Sequence, residues 1–348
     1  MLKVAVVGAT GYTGRELVQI LAGHPKVRLS CLTSESSAGL RFDQVYPQFR
    51  SLVELQLEKS AEVEALAESD FIFSALPHGL SLEMVPALLA LGRPVVDLSG
   101  DFRLKDGELY RQWYGYNHDC RELLAASTYG LPEFHREAIG KSRFIANPGC
   151  YPTSVLLPLG PLLREGVIDP DEIVIDAKSG VSGAGRLAKL PFHFPECTEN
   201  FKAYKVAEHQ HTPEIEQELA GICGRPLRVA FTAHLVPMVR GILSTIYLRT
   251  ASGTDEQDLW SVYDRHFADE PFVRLLRPPE LPETKFVSGS NFCDIAFRLD
   301  RRTGRLIVIS VIDNLVKGAA GQAVQNMNIM QGWPEETGLK GVRPDEVS

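Results

Sequence analysis

The sequence predicts an α/β chain of two domains, the first built on a parallel sheet and the second an α+β unit built on a mostly antiparallel one. Three observations carry the prediction. At 348 residues the chain exceeds what one ordinary core holds. Its first half alternates buried strands with helical segments, and its second half runs to longer, β-rich strands. Its composition, 44% hydrophobic and 23% charged, is that of a globular chain able to bury such cores. A net charge of −8 argues against a nucleic-acid or anionic-membrane partner, yet leaves an anionic small-molecule substrate open, since a site needs only a few local cations. No apolar run reaches transmembrane length. Met1-Leu2-Lys3-Val4-Ala5 enters a strand directly, without the organisation of a signal peptide. The six cysteines (31, 120, 150, 197, 223 and 293) are scattered with no Cys-x-x-Cys pair, which suits reduced thiols in a cytoplasm.

The first domain is expected over residues 1–149. Lys3–Val7 reads as a buried strand, followed by Gly8-Ala9-Thr10-Gly11-Tyr12-Thr13-Gly14 and a helix from Arg15 to Ala22. Strand, G-x-x-G-x-x-G and helix in that order form a variant of the dinucleotide fingerprint, so the sheet is of Rossmann type. Its glycines allow a tight turn and close backbone approach, and the helix N-terminus receives a pyrophosphate. The second strand, Val27–Leu32, ends at Thr33-Ser34-Glu35-Ser36-Ser37. Hydroxyls at Ser34 and Ser37, where an NAD site would carry an acid, favour the 2′-phosphate of NADP; the Glu35 charge opposes it if turned inward. Strands at Asp70–Ala75 and Pro94–Leu98 run into Leu76-Pro77-His78-Gly79 and Ser99-Gly100-Asp101-Phe102-Arg103, on the ligand edge of such a sheet. Arg103 there suits a phosphate or carboxylate, or an ion pair with Asp101 or Asp106.

Asn147-Pro148-Gly149-Cys150-Tyr151-Pro152-Thr153 sets one cysteine between the strand Arg143–Ala146 and a helix. Pro152 fits a first helical turn. A thiol there faces unpaired N–H groups and the positive end of the dipole, which favours thiolate; the bland alternative is a buried cysteine packed as a hydrophobe. The second domain, residues 150–313, continues with Ile173–Ala177 and the loop Lys178–Arg186, rich in glycine and hydroxyls. Glu208–Glu216 follows, with Thr212 as a helix N-cap and Pro213 at the first helical position, so that His209 and His211 precede a helix. Either histidine could move a proton for the cysteine; the H-x-H pair could also ligate zinc, though no third ligand stands out. Strands at Arg228–Thr232, Ile242–Leu248, Ala296–Leu299 and Leu306–Val311 make the antiparallel sheet, with a helix near Asp258–Ala268. A long helix from Asp313, with its Gly-Ala-Ala face, packs back on the first domain, so residues 314–348 complete it; Pro334–Ser348 reads as a polar tail.

Taken in order, these segments resemble the N-acetyl-γ-glutamyl-phosphate reductase family of the aspartate-semialdehyde dehydrogenase superfamily. The resemblance rests on Gly8–Gly14, Ala75–Gly79, Asp97–Arg103, Asn147–Thr153, Ser179–Arg186, Glu199-Asn200-Phe201-Lys202-Ala203-Tyr204, His209–Glu216, His234–Met238 with Arg240-Gly241, and Asp313–Gln325. Pro-Gly-Cys-Tyr-Pro-Thr and His-x-His-Thr-Pro-Glu-Ile are specific to that branch; Cys197 and Glu35 depart from its pattern. It implies a Cys150 nucleophile forming a thioester, His211 as acid/base with His209 second, and NADPH as reductant. It further implies cofactor contacts from Gly8, Thr10, Gly11, Tyr12, Thr13, Gly14, Ser34, Ser37, Pro77, Ser182, Gly183, Asn314 and Gly318, and substrate contacts from Arg103, Asn147, Lys178 and Ser179. A cytoplasmic homodimer or homotetramer without resident metal goes with it. A reductase of aspartyl or aminoadipyl phosphate, a non-catalytic NADP-binding regulator and a zinc hydrolase are the rival readings.

Overall fold

The computed structural model describes residues 1–60 and 62–339. They divide into two compact units, Met1–Gly149 with the segment from Ala319 onward, and Cys150–Gly318.

In the first unit, β1 (Leu2–Val7), β2 (Val27–Thr33), β3 (Leu57–Glu58), β4 (Phe71–Ser74), β5 (Val95–Asp97), β6 (Thr128–Tyr129) and β7 (Phe144–Ala146) form a sheet ordered β3-β2-β1-β4-β5-β7-β6. Every pair is parallel, as predicted. Such a sheet is covered on both faces, which is why β4 and β5 read as unbroken buried runs. Strand order reverses between β2-β1 and β4-β5, and the carboxyl ends at that switch point border the ligand crevice of this architecture.

The helix expected over 314–348 is shorter. Val316–Ala320 is a π turn, and the α-helix Gly321–Met330 packs on the helices Tyr12–Ala22 and Pro132–Lys141. Gly332, at a φ of 65°, and Pro334 end it. The start of the expected tail is docked rather than loose. Asn328 Nδ2 donates to the carbonyls of Glu335 (2.8 Å) and Thr337 (2.9 Å), Arg136 pairs with Glu335 at 2.5 Å, and Leu339 is buried. Residues 340–348 lie outside those described.

The second unit carries β8 (Val174–Ser179), β9 (Lys202–Tyr204), β10 (Ala230–Leu235), β11 (Ile242–Leu248), β12 (Val273–Leu275), β13 (Cys293–Asp300) and β14 (Arg305–Ile312), ordered β12-β13-β14-β11-β8-β10-β9. Four pairs are antiparallel; β8/β10 and β12/β13 are parallel. The helix Cys150–Arg164 lies on one face, where Ser154 Oγ is 2.8 Å from Ser244 Oγ. Ser244 stands opposite Ala177 in the register. Alternation therefore gives Ile175, Ala177 and Ser179 to the helix-covered face, and Val174, Asp176 and Lys178 to the other. Thr245 and Tyr247 of β11 and Ile307 and Ile309 of β14 share that second face.

Candidate active site

The glycine loop of the first unit fits a dinucleotide. Gly8 turns at a φ of 80°, and a Cβ there would stand 2.7 Å from Ala75 O at the end of β4. A Cβ on Gly14 would meet Gly8 O at 2.2 Å, so only glycine lets the helix start this close to the strand. The eleven-residue helix opens on Gly11 with no side-chain cap on its first amides, as an N-terminal pyrophosphate site requires. The loop is stapled to the end of β2. Gly8 N–H donates to Thr33 Oγ1 (3.2 Å), Thr10 Oγ1 and Ser34 Oγ are 2.6 Å apart, and Tyr46 OH donates to Thr10 O (2.7 Å). Ser34 is buried at this joint, Ser37 half-buried and Tyr12 and Thr13 half-buried on the first helical turn. Glu35 Oε1 accepts the Ser60 N–H at 3.0 Å, so its carboxylate is held by the β3 side of the loop.

Further along the sheet edge, Pro77 and His78 are exposed, and the loop they sit on is fastened beneath. Asp101 accepts the N–H groups of Gly79 (2.8 Å) and Leu82 (2.9 Å), and His78 Nδ1 accepts that of Gly100 (2.8 Å). Asp97, fully buried, takes hydrogen bonds from Ser81 and Ser99, yet burial pushes its carboxyl up to about 6. Two residues assigned to substrate are used by the framework. Arg103 is 4% exposed; its Nε donates to Asn147 O (2.7 Å) and its Nη2 to Leu98 O (2.8 Å). Asn147 is wholly buried, its Nδ2 on Ala319 O (3.1 Å) and its Oδ1 receiving Asn326 Nδ2 (3.0 Å). It therefore fixes the chain ahead of Cys150 rather than presenting its amide to a ligand.

In the second unit Cys150 is the first residue of its helix and half-buried, at the position where unpaired amides favour thiolate. Tyr151, next along, is 2% exposed, with its hydroxyl 3.1 Å from that of Tyr204. Burial raises both phenols, Tyr204 to about 12 and Tyr151 further, and a Cys150 charge nearby adds to each shift, so both stay protonated donors. Ser179, on the helix-covered face, lies near the Tyr151 hydroxyl, with its own Oγ donating to Gly180 O at 3.0 Å. Both histidines gather at the same ring: Tyr151 lies 5.4 Å from His209 and 5.8 Å from His211, centroid to centroid. Sequence reasoning gave neither tyrosine a role, although Tyr151 follows the nucleophile directly and Tyr204 closes the segment Asn200–Tyr204.

The helix predicted from Thr212 begins at His211, with Gln210 as its N-cap. His209 takes the place of the expected Thr212 cap: its Nδ1 accepts the His211 N–H at 3.1 Å. Burial, then the Lys205 charge, depress His209 to about 3, so it is a neutral acceptor that steadies His211. Lys178 is the clear correction among the substrate contacts. It lies on the sheet face opposite the Cys150 helix, its ammonium 2.7 Å from Asp176 Oδ2. The other predicted cofactor contacts do converge: Asn314 Nδ2 donates to Ser182 Oγ (3.0 Å), its Oδ1 accepts Gly241 N–H (2.7 Å), and Gly183 lies beside Ser179 and Asn314. Gly318 abuts Cys150 itself. No cluster of three or more metal-ligating side chains occurs among the described residues.

Family models bear on these two halves separately. The semialdehyde dehydrogenase NAD binding domain matches residues 3–142, and the semialdehyde dehydrogenase dimerisation domain residues 150–314. N-acetyl-gamma-glutamyl-phosphate reductase of Pelotomaculum thermopropionicum is 53% identical over 340 residues, 98% of each chain. That of Geobacter metallireducens is 53% identical over 343 residues, 98% of this chain and 99% of its own. Among solved structures, aspartate semialdehyde dehydrogenase II of Vibrio cholerae, complexed with ASA, superposes with a TM-score of 0.74 at 19% identity, over 95% of this chain and 98% of that one. Aspartate semialdehyde dehydrogenase with NADP from Candida albicans gives 0.73 at 17% identity, over 95% and 99%. At such identities the structural likeness shows the fold alone.

Proposed function

Because the chain belongs to the N-acetyl-gamma-glutamyl-phosphate reductase family of semialdehyde dehydrogenases, we propose that it reduces N-acetyl-γ-glutamyl phosphate to N-acetyl-glutamate 5-semialdehyde in arginine biosynthesis, releasing phosphate. The observation that carries the chemistry is a half-buried thiol on the first residue of a helix, followed by a buried phenol, Tyr151, on whose ring both histidines pack. In this reading the Cys150 thiolate attacks the acyl carbon, the carbon–oxygen bond to phosphate breaks, and phosphate leaves with that electron pair. A thioester remains on Cys150. NADPH, when bound, supplies hydride to that carbon. His211 gives a proton to the oxygen as charge develops there and takes it back as the carbon–sulfur bond breaks, so the aldehyde departs and the thiolate is restored. His209 holds the His211 amide. Arg103 braces Asn147 through its carbonyl, and Ser179 borders the substrate.

NADP is the dinucleotide this reading assigns. Gly8–Gly14 hold its pyrophosphate, and Ser34 and Ser37 meet its 2′-phosphate, with Glu35 drawn onto Ser60 N–H. Residues 1–149 with the C-terminal segment bind it, and residues 150–313 carry the nucleophile. Ser182, Gly183 and Asn314 border the nicotinamide. The uncovered sheet face, with Leu243, Tyr247, Ile307 and Ile309 at least partly exposed, makes the homo-oligomer contact of a cytoplasmic enzyme.

The test runs the reaction backwards with N-acetyl-glutamate semialdehyde, phosphate and NADP⁺. NADPH formation that needs phosphate, is lost in Cys150→Ser and fails with aspartate semialdehyde supports the assignment. Activity on aspartate semialdehyde alone moves the chain to a different acyl phosphate, and Cys150-independent turnover removes the thioester.

A further inference from the structure

We infer that Gly318 is a positioning residue for the Cys150 thiol, held against it by a π turn that the second unit clamps from three sides. Glycine is not needed there for its backbone freedom, since Gly318 is absent from the glycines of positive φ. Inside a helical segment glycine is destabilising relative to alanine. What it gives in return is close approach. A Cβ at 318 would stand 2.8 Å from Cys150 Cβ, 3.2 Å from Cys150 Cα and 3.3 Å from Ile312 Cδ1. The contact on Cα is backbone, so no change of the Cys150 rotamer relieves it. A methyl group there has to shift the start of the Cys150 helix or the turn.

The turn resists shifting. Gly318 N–H donates to Asp313 O at 2.9 Å, five residues back, which closes the wide turn of Val316–Ala320. The Asp313 side chain, wholly buried, is fixed by Arg240 Nη1 (3.0 Å), Gly289 N–H (2.7 Å) and Leu315 N–H (2.8 Å). Asn314, one residue on, is bonded to Gly241 and Ser182. Displacement caused by a Cβ therefore falls on Cys150. The resemblance to the reductase family places Gly318 beside the nicotinamide; its packing makes the nucleophile its first neighbour.

The inference rests on the reading of Cys150 as nucleophile, and alkylation of the thiol keeps the two separable because it needs no substrate. Gly318→Ala is compared with the unaltered protein in three measurements: turnover, NADPH dissociation constant, and the pH profile of Cys150 alkylation by iodoacetamide in the apoprotein. The expected result is kcat lower by about 10–100-fold, the effect of displacing a reacting group by an ångström. NADPH binding stays unchanged, and the alkylation midpoint moves up as the thiol leaves the helix amides. Ile312→Val with Gly318→Ala, which opens the third wall of the contact, restores part of the alkylation profile. If Gly318→Ala does not fold, that double variant carries the comparison. Weakened NADPH binding with unaltered alkylation assigns Gly318 to the cofactor and overturns the inference, as does a profile and kcat equal to those of the parent. Normal alkylation shifts without turnover on any semialdehyde uphold the positioning and refute the reductase reading alone.

Discussion

His209→Asn should remove most of the acid sensitivity of the second unit. His209 is 3% exposed and depressed to about 3 by burial, against about 6.5 in an unfolded chain. The unfolded state therefore takes up the proton first as pH falls. The stability is present in full above about pH 6.5 and is lost progressively down to about 3. At pH 4.5 the loss spans about two pH units of linkage, roughly 3 kcal/mol, against almost none at pH 7. The difference, roughly 3 kcal/mol, stays nearly the same for any folded-state value below about 4, because at pH 4.5 the folded form remains mostly unprotonated. Asp97, pushed up to about 6, acts in the other direction, since its folded state binds the proton first; being common to both proteins, it cancels. Asn is the replacement because its Oδ1 takes the place of Nδ1 as acceptor for the His211 N–H. Urea unfolding at pH 7 and pH 4.5, followed by circular dichroism, reads the effect. With a slope of about 2–3 kcal/mol/M, the parent midpoint should fall by about 1 M more than that of the variant. Equal pH dependence in the two proteins would mean that His209 is not a buried neutral base, and the account of how it steadies His211 would go with it.

Gly14→Ala puts a Cβ 2.2 Å from Gly8 O and 2.8 Å from Ala9 Cα, so the loop must open; NADPH titration should show binding lost along with about 1–3 kcal/mol of stability, and intact binding would refute the assignment of the loop. His211→Asn should slow the chemical step by about 10²–10⁴-fold in single-turnover assays while leaving NADPH affinity unchanged; a slower His209→Asn would exchange the two roles. Ile309→Lys sets a charge in the middle of the uncovered sheet face, and sedimentation should show the oligomer dissociating; an unaltered oligomer would place the contact elsewhere.

What could be read from the sequence is what is decided locally. Gly8–Gly14 stand out because they sit between a strand and a helix and because Gly14 answers a collision with Gly8 O six residues back, and Cys150 stands out because a strand, a glycine and a helix bracket it. The long strands β11, β13 and β14 are legible from their β-rich runs. The short ones, β6 and β9, are not, for two or three residues become a strand only when a distant partner such as β7 or β10 lines up with them. Lys178 and Ser179 show the same limit at the site. Alternation says that they point to opposite faces, but only the docking of Ser154 on Ser244 says which face the nucleophile's helix covers. Asn147 and Arg103 looked like ligand groups because their partners, Ala319 O, Asn326 and Leu98 O, are carbonyls and amides that no motif announces.

The first unit is discontinuous in the chain, and this sets an order of events during synthesis. The segment from Ala319 onward supplies the helix that packs on Tyr12–Ala22 and Pro132–Lys141, the amide that grips Asn147, and the residues against His24. None of it exists when residue 149 leaves the ribosome. Residues 150–318 come between, and at about 5–20 residues per second they take on the order of ten to thirty seconds to make. The half of the protein that is made first is thus completed last, and for that interval the side chains that will meet Gly321–Met330 stand open in the cell. A fragment ended at Gly149 would remain in that condition permanently, which makes it a poor vehicle for studying the glycine loop and a good one for asking which chaperones attend the nascent chain.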